Sequence, residues 1–150
     1  MTLREKTKPA QVKLAPALTT KEVLAAYRRG DREFSDVCLD DADLAGVNLS
    51  GASFLGISLR GVDLTQATLT HVQFKAADLT GASLSRARIN ATDLIAATFI
   101  RADLTKADFT GACLNRADCS RADMRFAHFG NATLAEAVLV GANLKRCEFV

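Results

Sequence analysis

The sequence contains few aromatic residues other than Phe, and few His, Pro and Cys residues. Its 150 residues include no Trp, one Tyr, two His, two Pro and four Cys. No apolar run approaches the roughly 20 residues that cross a bilayer. The first residues are basic and polar, without the apolar core of a secretory signal. These absences predict a protein without a membrane span, which we expect to be cytoplasmic.

The cysteines and histidines are too scattered for a disulfide framework or a metal site. In a coiled repeat, the six residues between Cys113 and Cys119 would put them on different faces, and His71 and His128 would lie three coils apart, about 14 Å. Metal sites and disulfide frameworks need paired or clustered spacing, and no glycine-rich loop is placed to cradle a phosphate. We therefore expect no catalytic residue, no metal and no cofactor, and the sequence predicts a non-enzymatic protein.

What the sequence does contain is a five-residue repeat. An apolar residue, most often Leu or Phe, recurs at every fifth position from Phe34 to Phe149, twenty-four times without an insertion. The residue two positions before this centre is Ala in sixteen of the twenty-four units. A period of five fits neither the helix nor the alternation of a strand. It fits a short extended piece whose central residue and the residue two before it point inward, followed by a bend.

The phenylalanines indicate how many units make one coil. Two groups of three keep a spacing of twenty residues, namely Phe34, Phe54, Phe74 and Phe109, Phe129, Phe149. If four units close a square, residues twenty apart lie above one another, so each group would form a stacked aromatic column in the core. Residues 31–150 would then form about six coils, a rod on the order of 25 to 30 Å long at about 4.8 Å per coil.

Several units resemble the pentapeptide-repeat family, whose consensus is A-(D/N)-L-x-x. Examples are residues 42–46 (ADLAG), 77–81 (ADLTG) and 102–106 (ADLTK). The resemblance covers about four-fifths of the chain. It implies an all-β fold, a right-handed quadrilateral β-helix, which is a solenoid with four units per coil. The family includes gyrase inhibitors that imitate duplex DNA with an acidic rod, so the resemblance also implies an alternative function.

Two segments precede the repeat. Residues 1–18 are basic and show no periodicity, so we expect a flexible arm. Residues 19–30 predict a short helix, because Thr19 and Glu22 match a capping box and Gly30 suits a helix end. We expect this helix to cap the first coil, which would otherwise expose its core. The residues expected to cover that coil are Val23, Leu24 and Tyr27.

The last coil differs from the first because it carries outward apolar residues and no segment to cover them. Such a surface favours a partner, and we predict a homodimer in which two copies meet through this coil. The candidate contact residues are Phe126, Val138, Val140 and Val150. A second candidate contact is a small patch formed by Ile95 and Ile100, which flank one corner; Leu55 also interrupts an otherwise polar face.

The acidic residues give the alternative function its candidate site. Asp43, Asp63, Asp103 and Asp123 recur at multiples of twenty and would share one face. Four aspartates fall far short of the one charge per about 1.7 Å that duplex DNA carries. In addition, Arg101, Arg116 and Arg121 each precede an aspartate by two residues, so we expect local pairing at the surface.

The basic residues do not predict a nucleic-acid site. Residues 1–30 carry a net charge of +5 and residues 31–150 a net charge of −3. We expect the basic residues of the repeat to spread over several faces, and nucleic acid is therefore not an expected partner. These residues are Arg86, Arg88, Arg101, Lys106, Arg116, Arg121 and Arg125. The sequence thus predicts a rigid rod that presents flat faces to an unidentified protein partner, with a DNA-mimicking inhibitor of an enzyme such as gyrase as the alternative.

Overall fold

The structure is a computed structural model that describes residues 18–35 and 37–150. The described residues form one helix, α1 (Thr20–Arg29), followed by a regular solenoid. Within the described residues, the extended pieces pair through isolated parallel bridges rather than through longer strands. Most of the arm predicted for residues 1–18 lies outside the described residues. Leu18 itself forms a parallel bridge with Val37.

Each bridge of the repeat joins residues twenty positions apart, so one coil contains four five-residue units. The bridges form four columns, which we call the first to fourth faces. The first face runs from Glu33 to Thr133, the second from Ser58 to Val138, the third from Asp43 to Asn143 and the fourth from Asn48 to Glu148. The chain is therefore a stack of about six coils with four sides.

Backbone hydrogen bonds hold each coil to the next. On the third face, the N–H of Leu44 donates to the carbonyl of Asp63 at 2.8 Å, and the N–H of Asp63 donates to the carbonyl of Ala42 at 2.9 Å. The same pattern recurs on all four faces. Because these bonds satisfy the backbone between successive coils, the spacing between coils is fixed by the main chain.

The chain turns at a tight corner after each central residue. The N–H of the third residue after the centre bonds back to the carbonyl of the centre, as from Ala97 to Leu94 at 3.0 Å. The second residue after the centre has a positive φ, as at Ala96 with 56°. Fifteen corners place a non-glycine residue there, although this conformation costs an L-residue about 1–2 kcal/mol.

The interior is filled by the central residues and the small residues two positions before them. Every central residue from Leu39 to Phe129 is at most 1% exposed. The rings of Phe34 and Phe54 stack with centroids 5.2 Å apart, and those of Phe54 and Phe74 with centroids 5.7 Å apart. The narrow interior is a packed core and not a channel.

The second aromatic column lies near the other end of the rod. The Phe129 ring stacks between Phe109 at 5.0 Å and Phe149 at 5.1 Å. Phe149 keeps the predicted register but is 55% exposed, so its assignment as a core residue is wrong. The physical reason is that Phe129 packs against only one face of its ring.

Helix α1 begins and ends as its sequence indicates. The Glu22 carboxylate accepts hydrogen bonds from the N–H of Thr19 at 2.7 Å and from its hydroxyl at 2.8 Å. At the other end, Gly30 has φ 107°, and its N–H donates to the carbonyl of Tyr27 at 3.1 Å. Both ends of the helix are therefore satisfied locally.

The helix packs against the core through one apolar stripe. Val23 is fully buried, and Leu24 and Tyr27 are half-buried against the core cluster. The Tyr27 hydroxyl donates to the carbonyl of Ser50 at 2.9 Å. The guanidinium of Arg32 lies 3.9 Å from the centroid of the Tyr27 ring, which explains a charged residue at an inward position of the repeat. The helix thus closes the first coil.

Candidate interaction surfaces

The aspartates of the third face serve the corners that follow them. The N–H of the residue two positions later donates to a carboxylate oxygen, from Ala45 to Asp43 at 3.1 Å and from Thr65 to Asp63 at 2.9 Å. Hydrogen bonds from the Thr65 side chain and backbone lower the pKa of Asp63. The bridges also place Asp103 and Asp123 on this face. These side chains share one face, and they are engaged in holding its turns.

The arginines do not form the ion pairs predicted from their spacing. Asp123 pairs with Arg125 at 2.7 Å rather than with Arg121, and Arg116 pairs with Glu136 one coil away at 3.0 Å. No ion pair with a described residue involves Arg101. The predicted pairing is therefore wrong, because these arginines lie at the positive-φ position of a corner, so that their neighbours are in the adjacent coils. The hydrogen bond from Arg125 lowers the pKa of Asp123.

The register gathers most basic residues of the second half around the third face. Arg101 and Arg121 lie in the corners that precede it. The corners that follow it hold Arg86, Lys106, Arg125, Lys145 and Arg146. All seven side chains are exposed, and with the two carboxylates of Asp103 and Asp123 they give this half-face a net charge of +5. We call it the basic half-face. We expected seven basic residues of the repeat to spread over several faces. This expectation is wrong for the five of them that flank the third face, namely Arg86, Arg101, Lys106, Arg121 and Arg125.

The other end of the third face is acidic. Asp40, Asp41 and Asp43 are exposed there, and Asp63 is half-buried. Arg60 lies among them, but its guanidinium pairs with Asp78 on the second face at 2.9 Å. The third face is therefore acidic in its first two coils and basic in its last four. A sequence pattern of aspartates at every twentieth position does not reveal this division.

The candidate dimer residues lie around the rim of the last two coils. Val138 is 40% and Val140 71% exposed, and the two are neighbours at the corner between the second and third faces. Val150 is fully exposed after the fourth face. Phe126 is 39% exposed, but its ring lies between the cations of Lys106 and Arg146, at 5.9 and 5.4 Å. Of the four candidate residues, Val138 and Val140 are the two exposed apolar side chains that lie near one corner.

The second candidate apolar contact is not a patch. Leu55 is 51% exposed, whereas Ile95 and Ile100 are half-buried. The two isoleucines follow the centres of different faces, so they lie at neighbouring corners and not at one. A surface depression of about 290 Å³ beside Ile95 is also lined by the ion-paired Arg116 and Glu136.

The thiol and imidazole groups occupy separate positions. Cys119 is buried in the core, and burial raises the pKa of its thiol to about 12. Cys38 is exposed. The Nδ1 atom of His128 lies 2.9 Å from the Glu148 carboxylate on the fourth face. Among the residues that the structure describes, no group of three His, Cys, Asp or Glu is placed to hold a metal ion.

Two structural features of the described chain complete the survey. No helix of residues 18–35 and 37–150 is long and apolar enough to span a membrane. Every buried side-chain nitrogen or oxygen of these residues has a hydrogen-bond partner. The Thr92 hydroxyl, for example, takes an inward position and donates to the carbonyl of Leu69 at 2.7 Å.

The fold and the repeat are both similar to those of known proteins. A crystal structure of a pentapeptide repeat protein, Rfr23 from the cyanobacterium Cyanothece 51142, is similar with a TM-score of 0.61 and 22% identity, over 72% of this chain and 91% of that one. QnrB1, a plasmid-mediated fluoroquinolone resistance protein, is similar with a TM-score of 0.50 and 21% identity, over 82% of this chain and 68% of that one. A comparison with curated protein sequences finds no match.

The family model of pentapeptide repeats matches this sequence in eight copies. The matched residues are 42–81, 57–94, 82–118 and 117–150, which together extend over most of the solenoid. They coincide with the part of the chain in which parallel bridges join residues twenty apart. The chain belongs to the pentapeptide repeat family.

Proposed function

We propose that this protein is a non-enzymatic interaction module, a rigid rod with the right-handed quadrilateral β-helix of its family, whose flat outer faces contact a protein partner. The filled interior carries this proposal. Because the inward positions are occupied by Leu, Phe and Ala, the rod offers its partners only the outer surface. The main-chain bonds between coils keep that surface rigid, which lowers the entropy lost on binding.

The polar groups of the faces support a structural role. The carboxylates of Asp43, Asp63 and Asp103 accept corner N–H groups, and such groups are poorly placed to act on a substrate. The raised pKa of Cys119 keeps its thiol protonated, and a protonated thiol is a weak nucleophile. These observations favour binding over catalysis.

We further propose that one partner is a second copy of this chain, which meets the first through the last coil. Val138 and Val140 supply an exposed apolar surface. The inward residues Leu134, Leu139 and Leu144 are only half-buried beside it. A twofold axis at this end would cover both sets of side chains in one contact.

Sedimentation velocity tests this partner. The double variant Val138→Glu, Val140→Glu places charges at the proposed contact and is expected to be monomeric. Leu55→Glu, which changes a similarly exposed apolar residue at the other end of the rod, is the matched control and is expected to self-associate like the unchanged chain. Equal behaviour of the two variants would reject the contact at the last coil.

The alternative is a DNA-mimicking inhibitor of gyrase, and the similarity to QnrB1 motivates it. A mimic needs a surface potential comparable to that of a phosphate backbone. The net charge of +5 on the basic half-face opposes it, because cations flank the aspartates that would imitate phosphates. A gyrase supercoiling assay separates the two functions. Inhibition at low micromolar concentration would favour the mimic, and undiminished supercoiling would favour the interaction module.

A further inference from the structure

The basic half-face presents two rows of cations along the rod. One row, in the corners before the third face, consists of Arg101 and Arg121. The other, in the corners after it, consists of Arg86, Lys106, Arg125, Lys145 and Arg146. Among the described residues, ion pairs hold only Arg125 of these seven. The other side chains have their charges available to a ligand.

The spacing of these cations is set by the backbone. The N–H of Lys106 donates to the carbonyl of Arg125 at 2.9 Å, and the N–H of Arg121 donates to the carbonyl of Val140 at 2.8 Å. The Phe126 ring between Lys106 and Arg146 demonstrates that the side chains of one corner stack along the rod axis. At about 4.8 Å per coil, three coils separate the ends of the longer row by about 14 Å.

A nucleic-acid strand presents charges at a matching scale. Its phosphates follow one another by about 3.4 Å along a duplex, so a stretch of about 14 Å contains roughly four of them. We propose that the basic half-face binds the phosphate backbone of duplex nucleic acid without reading its sequence. Release of condensed counterions drives such binding, which therefore requires cations and not a large apolar contact. This inference goes beyond the proposed function, and the basic half-face adjoins the proposed contact with a second copy, because Val140 follows Arg121 in the same row of corners.

Two other occupants fit this surface less well. The opposite charges at the two ends of the third face would suit an antiparallel second copy. In that arrangement, however, the third and fourth coils of the two copies, which are basic in both, would face each other. An anionic membrane would lie flat along the whole face and meet Asp40, Asp41 and Asp43 as well.

Fluorescence anisotropy with a short labelled DNA duplex tests the proposal on the full chain. The unchanged protein is expected to bind at low salt, with an affinity that falls steeply as salt rises. The variant Arg101→Glu, Arg121→Glu is expected to bind at least about tenfold more weakly. Its slope of log affinity against log salt concentration is expected to be smaller by about two, one for each lost phosphate contact. The control variant Lys75→Glu, Arg116→Glu alters the net charge equally at the corner after the first face, away from the proposed site. It is expected to bind like the unchanged protein.

Three results would overturn the proposal. The first is that the unchanged protein does not bind the duplex at low salt. The second is that both charge-reversed variants weaken binding equally, because the effect would then follow net charge and not the basic half-face. The third is that vesicles of phosphatidylcholine and phosphatidylserine bind the protein while the duplex does not. Circular dichroism melting of each variant verifies that the fold is retained.

Discussion

Replacing Phe129 by Ala tests whether the stacked phenylalanines hold the end of the rod together. This side chain is 1% exposed and stacks on two other rings, with centroids 5.0 and 5.1 Å away. Truncating a buried Phe to Ala costs about 3–5 kcal/mol, because the apolar burial is lost and a cavity remains. Phe149→Ala is the matched control in the same column. That side chain is 55% exposed, so its loss removes about half the burial and is expected to cost about 1 kcal/mol.

Urea unfolding followed by circular dichroism measures the difference, since the chain has no Trp for fluorescence. With a slope of about 2 kcal/mol per M urea, the midpoint is expected to fall by about 2 M for Phe129→Ala and by about 0.5 M for Phe149→Ala. Similar shifts for the two variants would refute the reasoning. They would mean that stacking register, and not burial, sets the contribution of each ring.

Three further changes probe the corners, the aspartates and the helix. Ala96→Gly is expected to raise the free energy of unfolding by about 0.5–1 kcal/mol, because relief of left-handed strain exceeds the added entropy of the unfolded chain. Gly51→Ala is expected to lower the free energy of unfolding through this strain alone, because its added Cβ would meet nothing within 4 Å. Thermal melts that do not rank Ala96→Gly above Gly51→Ala would contradict this expectation. The lowered pKa of Asp63 means that its contribution to stability is present above the ordinary value of 3.8 and is lost as pH falls through the folded pKa. Asp63→Asn keeps a turn acceptor and should remove this part of the acid sensitivity, so urea midpoints with unchanged pH dependence would count against it. Val23→Asp, like deletion of residues 19–30, should cause early melting or aggregation, since an unpaired charge at a fully buried position costs about 3–5 kcal/mol, and unchanged melting would reject the capping role.

The register of the solenoid could be predicted from the sequence because large residues mark it at regular intervals. Phe34, Phe54 and Phe74 keep a spacing of twenty, and their rings stack in one column. The corner conformation could not be predicted in the same way. Residues such as Ala96 and Arg101 adopt a positive φ there, and the closing bonds of the coil impose it against their intrinsic preference.

The basic half-face was missed because its residues do not share one position in the repeat. The aspartates of the third face all directly precede a central residue, so a period of twenty reveals them. Lys106 is the second and Arg125 the first residue after a centre, and Arg121 belongs to the corner on the other side. These residues are recognised as one group only when the corners on both sides of the third face are considered together with that face. This grouping requires the geometry of the coil.

The exposure of residues in the last coil also could not be predicted from the sequence. Phe149 has the spacing of a core residue, but its 55% exposure depends on what packs beyond it and not on its own unit. Phe126 shows the opposite difference between sequence and structure. It stands out in the sequence as an outward aromatic residue, and the structure places it between Lys106 and Arg146, which accounts for it locally.

The molar mass of the protein in solution tests the central claim, that this rod acts through contacts on its outer surface, most directly. The account predicts that sedimentation velocity at high micromolar concentration gives a dimer, twice the 16.0 kDa of the chain. It predicts that Val138→Glu, Val140→Glu sediments as a monomer and that Leu55→Glu remains a dimer. A monomer for the unchanged chain, or a dimer that persists in the Val138→Glu, Val140→Glu variant, would contradict the account.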